Sequence, residues 1–369
     1  MTALKKIRVL VVDDSAVVRR MITDTLSLDP EIEVVATATD PYIARDKILE
    51  LNPDVLTLDI EMPRMGGLTF LRILQEHRPM PVVVVSSLTQ SGSRAALQAL
   101  ELGAVDVLAK PNSAWGLGSL REQLALRVKG ASKARLTGFK NATAHDGAAA
   151  SPSAHFLPRQ LVVMGASTGG TEALRNILTR LPDGLPGICV VQHIPPVFSK
   201  TFAERLDEGC ACEVREAAHG DELRPGLVLV APGDFHMTLA WKGTGYRVSL
   251  EQGPTLHHVR PSVDILFSSA AAAGSNALAV LLTGMGCDGA RGMKQLKEAG
   301  ATTIAQNEET CIVYGMPRAA VELGVVDRLL PLDLIPHAIL HALEAGAGTQ
   351  PLPAARAAAM VEPSEPKIH

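Results

Sequence analysis

Cysteine is sparse and unpatterned in this chain, with five residues at 189, 210, 212, 287 and 311 and no Cys-x-x-Cys pair. An odd, scattered set of this kind argues against a disulfide framework and reads as reduced thiols in a cytoplasmic protein. Basic charge is not in excess either: 35 Lys and Arg stand against 39 Asp and Glu, a formal charge of −4. That balance lacks the footprint of a nucleic-acid binder. Long apolar runs are also missing. The first one, Ile7 to Val12, is interrupted by Arg8 and stopped by Asp13 and Asp14, which excludes a signal peptide there. The closest approach to a membrane span, Ala270 to Leu282, contains Gly274, Ser275 and Asn276. It reads as a helix end followed by a buried strand, and the protein is expected to be soluble. No repeat of solenoid spacing occurs.

What is present is enough apolar material, 47% of 369 residues, for two or three domains with sizeable cores. Residues 1–128 alternate short β-branched runs with amphipathic segments. Strands are expected at Ile7–Val12, Ile32–Thr37, Val55–Leu58, Val82–Ser86 and Val105–Ala109, with helices such as Ala16–Leu28 and Ser91–Leu102 between them. This alternation predicts a parallel sheet covered on both faces. From 129 to 158 bulky apolar residues give way to Ala, Ser, Gly and Lys, the composition of a flexible linker. A second α/β domain is expected over 159–349, with strands at Leu161–Met164, Ile188–Gln192, Leu227–Ala231, Ala277–Thr283 and Thr302–Gln306. The segment 350–369, rich in Ala, Pro and charge, reads as a disordered tail.

Chemistry-bearing residues fall at the ends of these strands. Asp13 and Asp14 follow the first and Asp59 ends the third. In a sheet of order 2-1-3-4-5 those two strands are neighbours, and the three carboxylates converge at the edge where such sheets bind ligands. Clustered acids call for a cation, and hard oxygen ligands suit Mg2+. Ser86 and Lys110 end the fourth and fifth strands, so the same edge gains a hydroxyl and an ammonium. Such a set can transfer a phosphoryl group onto one carboxylate. Any single strand-end Asp is more commonly a helix cap, and Asp14 before Ser15 fits that role alone; the convergence of all five residues does not.

"VLVVDDSAVVRRMI", "DVLTLDIEMPRMGGLTFL", "VVVVSSLT" and "GAVDVLAKP" closely resemble the receiver domain of two-component response regulators, over about residues 5–128. The resemblance implies a flavodoxin-like (βα)5 fold with Asp59 as phospho-acceptor. It implies Mg2+ held by Asp13, Asp14, Asp59 and the backbone carbonyl of Glu61, with Ser86 and Lys110 contacting the phosphoryl group. The sequence departs from the receiver pattern at Val107, where an aromatic switch residue is common.

In the second domain "LVVMGASTGGTEAL" carries G-x-S-x-G at Gly165–Gly169, a strand-to-helix turn that exposes Ser167. The N–H of Thr168, at the start of the following helix, suits an oxyanion. Three rivals share such glycines. A phosphate loop fails because Thr171-Glu172 replaces Lys-Ser/Thr. A dinucleotide fingerprint fails because Ser167 stands where its second glycine belongs. A Tyr-x-x-x-Lys reductase fails because Asp46, Leu250 and Arg318 follow the tyrosines. A serine or threonine merely capping the helix remains open from the turn alone. His193 after the next strand and Asp288 after a later one place a base and an orienting carboxylate at the same sheet edge. The order Ser, His, Asp is not that of the α/β-hydrolases. His337 and His341 share a helix face but lack a third ligand, and no His-Glu-x-x-His pattern occurs.

"VVMGASTGG", "VVQHIPPVFSKTFAERL", "VLVAPGDFHM", "HHVRPSVDILF" and "LLTGMGCDGARGMKQLKEAGATTIAQNEETCIVYGMPRAA" resemble the effector domain of the chemotaxis protein-glutamate methylesterases, over about Leu161–Ala345. The resemblance implies a doubly wound, mainly parallel α/β esterase domain with Ser167 as nucleophile, His193 as base and Asp288 as orienter. It adds the N–H of Met285 as an oxyanion donor, with His257, His258, Arg260 and Met316 lining the substrate cleft. No cofactor is implied for the hydrolysis. The implied partners are methyl-accepting chemotaxis receptors as substrate and a histidine kinase as phosphodonor, without membrane insertion or nucleic acid. Deamidation of receptor glutamines is known for some members. A receptor-binding adaptor without chemistry is the alternative reading, and a nicotinamide-dependent reductase a more distant one.

Overall fold

The computed structural model describes residues 5–87, 89–110, 117–136, 156 and 159–346. Its first five strands are β1 (Ile7–Val12), β2 (Ile32–Ala38), β3 (Val55–Asp59), β4 (Val82–Ser86) and β5 (Asp106–Ala109). They pair in parallel in the order β2-β1-β3-β4-β5, as the sequence predicts. Strands β3 and β4 are buried at every position, which is why they read as unbroken apolar runs rather than alternating ones. Helices α1 (Ala16–Leu26), α2 (Pro41–Leu51), α3 (Gly67–His77), α4 (Gln90–Glu101) and α5 (Leu117–Ser132) connect and follow the strands. Ser15, not Asp14, caps α1: its Oγ accepts from Val18 N, while Asp14 is exposed. The helix ends at Leu26, where the N–H groups of Leu28 and Asp29 turn instead to the carbonyls three residues back, Thr25 and Leu26, and Leu28 is left exposed.

The composition change at Lys129 is not the end of structure. Helix α5 runs to Ser132, and the described backbone continues to Leu136. Lys129 is tied to Asp29 and Glu31 at 2.8 and 2.6 Å, and Gly130 and Ala131 are buried. The shortage of bulky side chains therefore marks a helix end packed tightly between the two domains. The remaining linker positions from 137 to 155 and the tail from 350 lie outside the described residues.

The second domain is built on a seven-stranded parallel sheet. Its centre consists of β6 (Leu161–Ala166), β7 (Ile188–Gln192), β10 (Leu227–Val230), β13 (Ala277–Leu281) and β14 (Thr302–Gln306), the five strands the sequence predicts. The short edges β8 (Glu213–Glu216) and β15 (Arg328–Leu330) go beyond that prediction. The strand order is β15-β14-β13-β6-β7-β10-β8. A separate antiparallel sheet of β11 (His236–Lys242), β12 (Gly245–Glu251) and β9 (Glu222–Leu223) is likewise additional. Helices α6 (Gly170–Leu178), α7 (Phe198–Asp207), α8 (Val263–Ala270), α9 (Ala290–Glu298), α10 (Met316–Glu322) and α11 (Ile335–Gly346) complete the domain. Helix α8, a 3-10 turn over Ala271–Asn276 and the buried β13 account for the Ala-rich run as predicted. Among the described residues no helix is long and apolar enough to cross a membrane.

Candidate active site and phosphorylation site

Three strand ends of the second sheet meet at the G-x-S-x-G turn. Strand β6 lies between β13 and β7, so the loops leaving these three parallel strands gather at one edge. The turn at Ser167 is held from both sides. Gln192 Nε2 donates to the carbonyl of Ser167 at 2.9 Å, and Thr283 Oγ1 donates to that of Thr168 at 3.0 Å. Gly169 adopts φ +77° to start α6, a conformation that disfavours a Cβ. A side chain at Gly284 would meet Ser167 Cβ at 2.7 Å and Met316 Sδ at 2.3 Å, so the segment after β13 lies directly against the serine. Met316 is fully buried and backs this contact; it does not line an open cleft as expected from sequence.

His193 directly follows β7, and its N–H donates to the carbonyl of Ala166, next to Ser167. Its ring presents Nε2 to Asp288 Oδ2 at 2.9 Å. Asp288 is buried at the N-terminus of α8. Its carboxylate accepts from Ser262 Oγ at 2.7 Å and from the N–H groups of Val263 at 2.7 Å, Asp264 at 3.0 Å and Gly289 at 3.1 Å. Burial opposes its ionisation, but the bond and charge of His193 and these donors hold the carboxyl below its ordinary value of 3.8. With Asp288 ionised, Nε2 carries the proton and Nδ1 is the ring atom with a free lone pair. Among the described residues neither Ser167 Oγ nor the N–H groups of Thr168 and Met285 have a hydrogen-bond partner. Unpaired donors of this kind beside a hydroxyl suit an anionic oxygen.

Of the expected cleft residues, Arg260 has its guanidinium engaged by Asp234 and by the carbonyl of Gly253. That pairing makes it a brace of its own loop. His257 Nε2 pairs with Asp264 Oδ2 at 3.1 Å, and its Nδ1 lies 3.8 Å from Cys287 Sγ. His257 and His258 both have positive φ, +52° and +63°. Ser262 and Gln192, which orient the acid and the turn, carry no signal in a single sequence. Each reads as an ordinary cap or strand end until the fold brings it to its partner.

At the receiver edge the three acids and Lys110 come together. Asp13, Asp14 and Asp59 offer oxygen atoms within 4.8 Å of one another. Lys110 Nζ lies 2.9 Å from Asp13 and 2.8 Å from Asp59. Burial raises the pKa of Asp59, only partly offset by Lys110. Burial works against the Lys110 ammonium, yet Asp59 and Asp13 keep its pKa above 10.5. The buried Oδ2 atoms of Asp13 and Asp59 accept no well-directed hydrogen bond among the described residues. Three converging carboxylates against a single ammonium leave net negative charge, and an all-oxygen donor set of this kind fits a hard divalent cation such as Mg2+. Glu61 stands on the turn after β3, its N–H donating to Asp59 Oδ1 at 3.2 Å. Ser86 is buried and its Oγ donates to the carbonyl of Gly92 at 3.3 Å.

The two domains touch at these sites. The buried Thr168 Oγ1 donates to Asp106 Oδ2 of β5 at 2.5 Å. Arg127 of α5 pairs with Asp106 and donates to the carbonyl of His193 at 3.3 Å. A Cβ on Gly130 would stand 3.5 Å from Met285 Cβ and 3.7 Å from Thr168 Oγ1. Arg135 pairs with Glu308 at 2.6 Å, and its N–H donates to the carbonyl of Ile312 at 3.0 Å.

Fold and site together define a response-regulator receiver joined to an α/β domain with a Ser-His-Asp constellation. Comparison with known proteins agrees: residues 9–119 match the response regulator receiver domain family and residues 162–339 the CheB methylesterase family. The protein-glutamate methylesterase/protein-glutamine glutaminase 2 of Syntrophus aciditrophicus is 51% identical over 346 residues, 92% of this chain and 99% of that protein. The corresponding Salmonella typhimurium enzyme is 48% identical over 93% and 99%. The crystal structure of the Thermotoga maritima CheB methylesterase catalytic domain is 42% identical, covering 49% of this chain and 97% of that one, with a TM-score of 0.49. The chain belongs to the protein-glutamate methylesterase/protein-glutamine glutaminase family.

Proposed function

We propose that this chain hydrolyses glutamate γ-methyl esters on methyl-accepting chemotaxis receptors, releasing methanol, under control of its receiver. The observation that carries this reading is the His193–Asp288 pair, which fixes the imidazole beside the serine turn. Ser167 Oγ attacks the ester carbonyl while His193 Nδ1 takes its proton. The N–H groups of Thr168 and Met285 receive the developing oxyanion. His193 then protonates the departing methoxide, and water activated by the same nitrogen releases the glutamate. A glutamine amide passes through the same acyl-enzyme with ammonia as leaving group, so deamidation needs no further machinery. Intact Ser167, His193 and Asp288 favour this enzyme over a non-catalytic adaptor.

In the receiver, Asp59 accepts a phosphoryl group from a chemotaxis histidine kinase. Asp13, Asp14, Asp59 and the Glu61 carbonyl would hold Mg2+, which would supply positive charge for phosphoryl transfer. Lys110 lies ready to pair with the phosphoryl group, and Ser86 rotates away from Gly92 to contact it. The unphosphorylated receiver restrains the esterase, a reading supported by α5 lying against Thr168 and Met285. The work is done at the cytoplasmic helices of the receptors.

The test is methanol release from methylated receptor membranes, with and without a phosphodonor. Wild type is stimulated by the phosphodonor, Asp59→Asn is not, and Ser167→Ala releases no methanol above background. Equal rates for wild type and Ser167→Ala overturn the nucleophile assignment.

A further inference from the structure

Two receiver residues outside the phosphorylation set reach the catalytic turn. Asp106 opens β5, and Lys110 directly follows the strand's other end. A four-residue strand therefore joins the ammonium that contacts Asp59 to the carboxylate that holds Thr168. Val107, next to Asp106, is buried and fills the position where receivers commonly carry an aromatic switch. With no ring to swing at that point, the polar end of β5 is the group on this strand that touches the esterase.

The bonding at Asp106 is divided unequally. Its Oδ1 takes the Arg127 guanidinium and the N–H of Val107, all within the receiver. From this pair two bonds cross to the esterase, Thr168 Oγ1 to Asp106 and Arg127 to the carbonyl of His193, while Glu101–Arg205 and Arg135–Glu308 cross nearer the surface. The costly element, a buried ion pair, keeps its partner whether or not the domains separate. The exposed Glu101–Arg205 and Arg135–Glu308 pairs add little to the hold. What breaks at the Asp106–Arg127 pair on separation is one hydroxyl and one carbonyl contact, both of which water can replace. Each is strengthened by the charge on its receiver partner while it lasts. The arrangement is firm enough to hold the turn and light enough to release it.

We propose that Asp106 and Arg127 are positioning residues that hold the Ser167–Thr168 turn and the His193 main chain in the restrained state, and that phosphorylation of Asp59 frees them through Lys110 and β5. This rests on the reading that the receiver restrains the esterase. While the two bonds stand, Gly130 of α5 stays against the side chains of Met285 and Thr168. When β5 moves, Thr168 and His193 are released together.

The experiment uses the full chain and three readings: methanol release without phosphodonor, release with it, and phosphoryl uptake on Asp59. Asp106→Asn and Arg127→Met are each expected to raise the unphosphorylated rate about tenfold, the scale of losing one or two charge-assisted hydrogen bonds. The phosphorylated rate stays at the wild-type value, so the stimulation ratio shrinks. A residue that merely supports the fold would lower both rates. Phosphoryl uptake reports that the receiver is folded, and Arg127→Lys, which keeps the charge, restores part of the restraint. Gly130→Leu wedges α5 away with the ion pair intact and raises the unphosphorylated rate as well. If Gly130→Leu does so while Asp106→Asn and Arg127→Met phosphorylate normally and keep the wild-type unphosphorylated rate, restraint is steric and the proposal is overturned. A wild type that no phosphodonor stimulates overturns instead the receiver-control reading beneath it.

Discussion

His193 turns Nε2, not Nδ1, toward the carboxylate of Asp288, at 2.9 Å. Nδ1 is therefore the ring nitrogen left for Ser167 in the proposed mechanism, which depends on Asp288 holding the proton on Nε2. Asp288→Asn lets the opposite tautomer form. It is expected to lower kcat for methanol release by about ten-thousandfold with little change in KM, the scale of removing the orienting acid from such a triad. Steady-state kinetics with saturating methylated receptor checks this, and a loss below tenfold contradicts the assigned role.

The same carboxylate links stability to pH. Its pKa is lowered on folding, so its contribution is fully present above the unfolded value near 3.8 and is lost as pH falls through the folded value. Urea unfolding at pH 7 should find Asp288→Asn less stable than wild type by about 1–3 kcal/mol, since several donors lose a charged acceptor. The difference should shrink as the pH is lowered past 3.8. A gap that widens in acid would contradict an ionised Asp288 in the folded protein.

Gly284 has no room for a side chain, because a Cβ there would meet Ser167 Cβ at 2.7 Å and the Ser167 nitrogen at 3.2 Å. Gly284→Ala must displace the serine turn by a sizeable fraction of an ångström. A loss in kcat of about a hundredfold is expected, as misplacements on that scale cost in well-aligned sites. Circular dichroism showing retained structure, together with the kinetics, separates this from unfolding. Wild-type kcat in the variant would show that the turn tolerates the shift.

The acid cluster gives a metal prediction independent of esterase activity. Chelating divalent cations should abolish phosphoryl uptake on Asp59 and leave unphosphorylated methanol release unchanged. Asp13→Asn should raise the Mg2+ concentration needed for uptake by about tenfold or more, since even outer-shell changes weaken metal sites tenfold or further. Phosphoryl uptake measured across a Mg2+ titration decides it.

The parallel sheets were legible because their strands are buried on both faces, so Val82–Ser86 or Ile188–Gln192 stands out as an unbroken apolar run. The strands that sequence pattern does not reveal have weaker signals. Glu213–Glu216 and Arg328–Leu330 are short, charged and marginal, while His236–Lys242 and Gly245–Glu251 are exposed at several positions. The grouping of Ser167, His193 and Asp288 was legible because they stand at strand ends that the fold class gathers in advance. Arg260 and Met316 were assigned to the cleft from family likeness, and their contacts with Asp234 and Gly284 depend on loop packing that no local pattern encodes. Asp106 is hidden for a related reason. A lone aspartate at the start of a strand acquires meaning only when a residue 62 positions away in the chain arrives beside it.

Receiver and esterase share one chain, so opening and closing the contact through α5 is a first-order process. A tether holds its two ends at an effective concentration on the order of millimolar, far above what dilution could offset. Copy number thus has no hold on the fraction of molecules that are closed. At a fixed level of phosphorylation, a cell that makes more of this protein gains more of each state in equal proportion, so under the proposed control the ratio is set through Asp59 rather than through copy number.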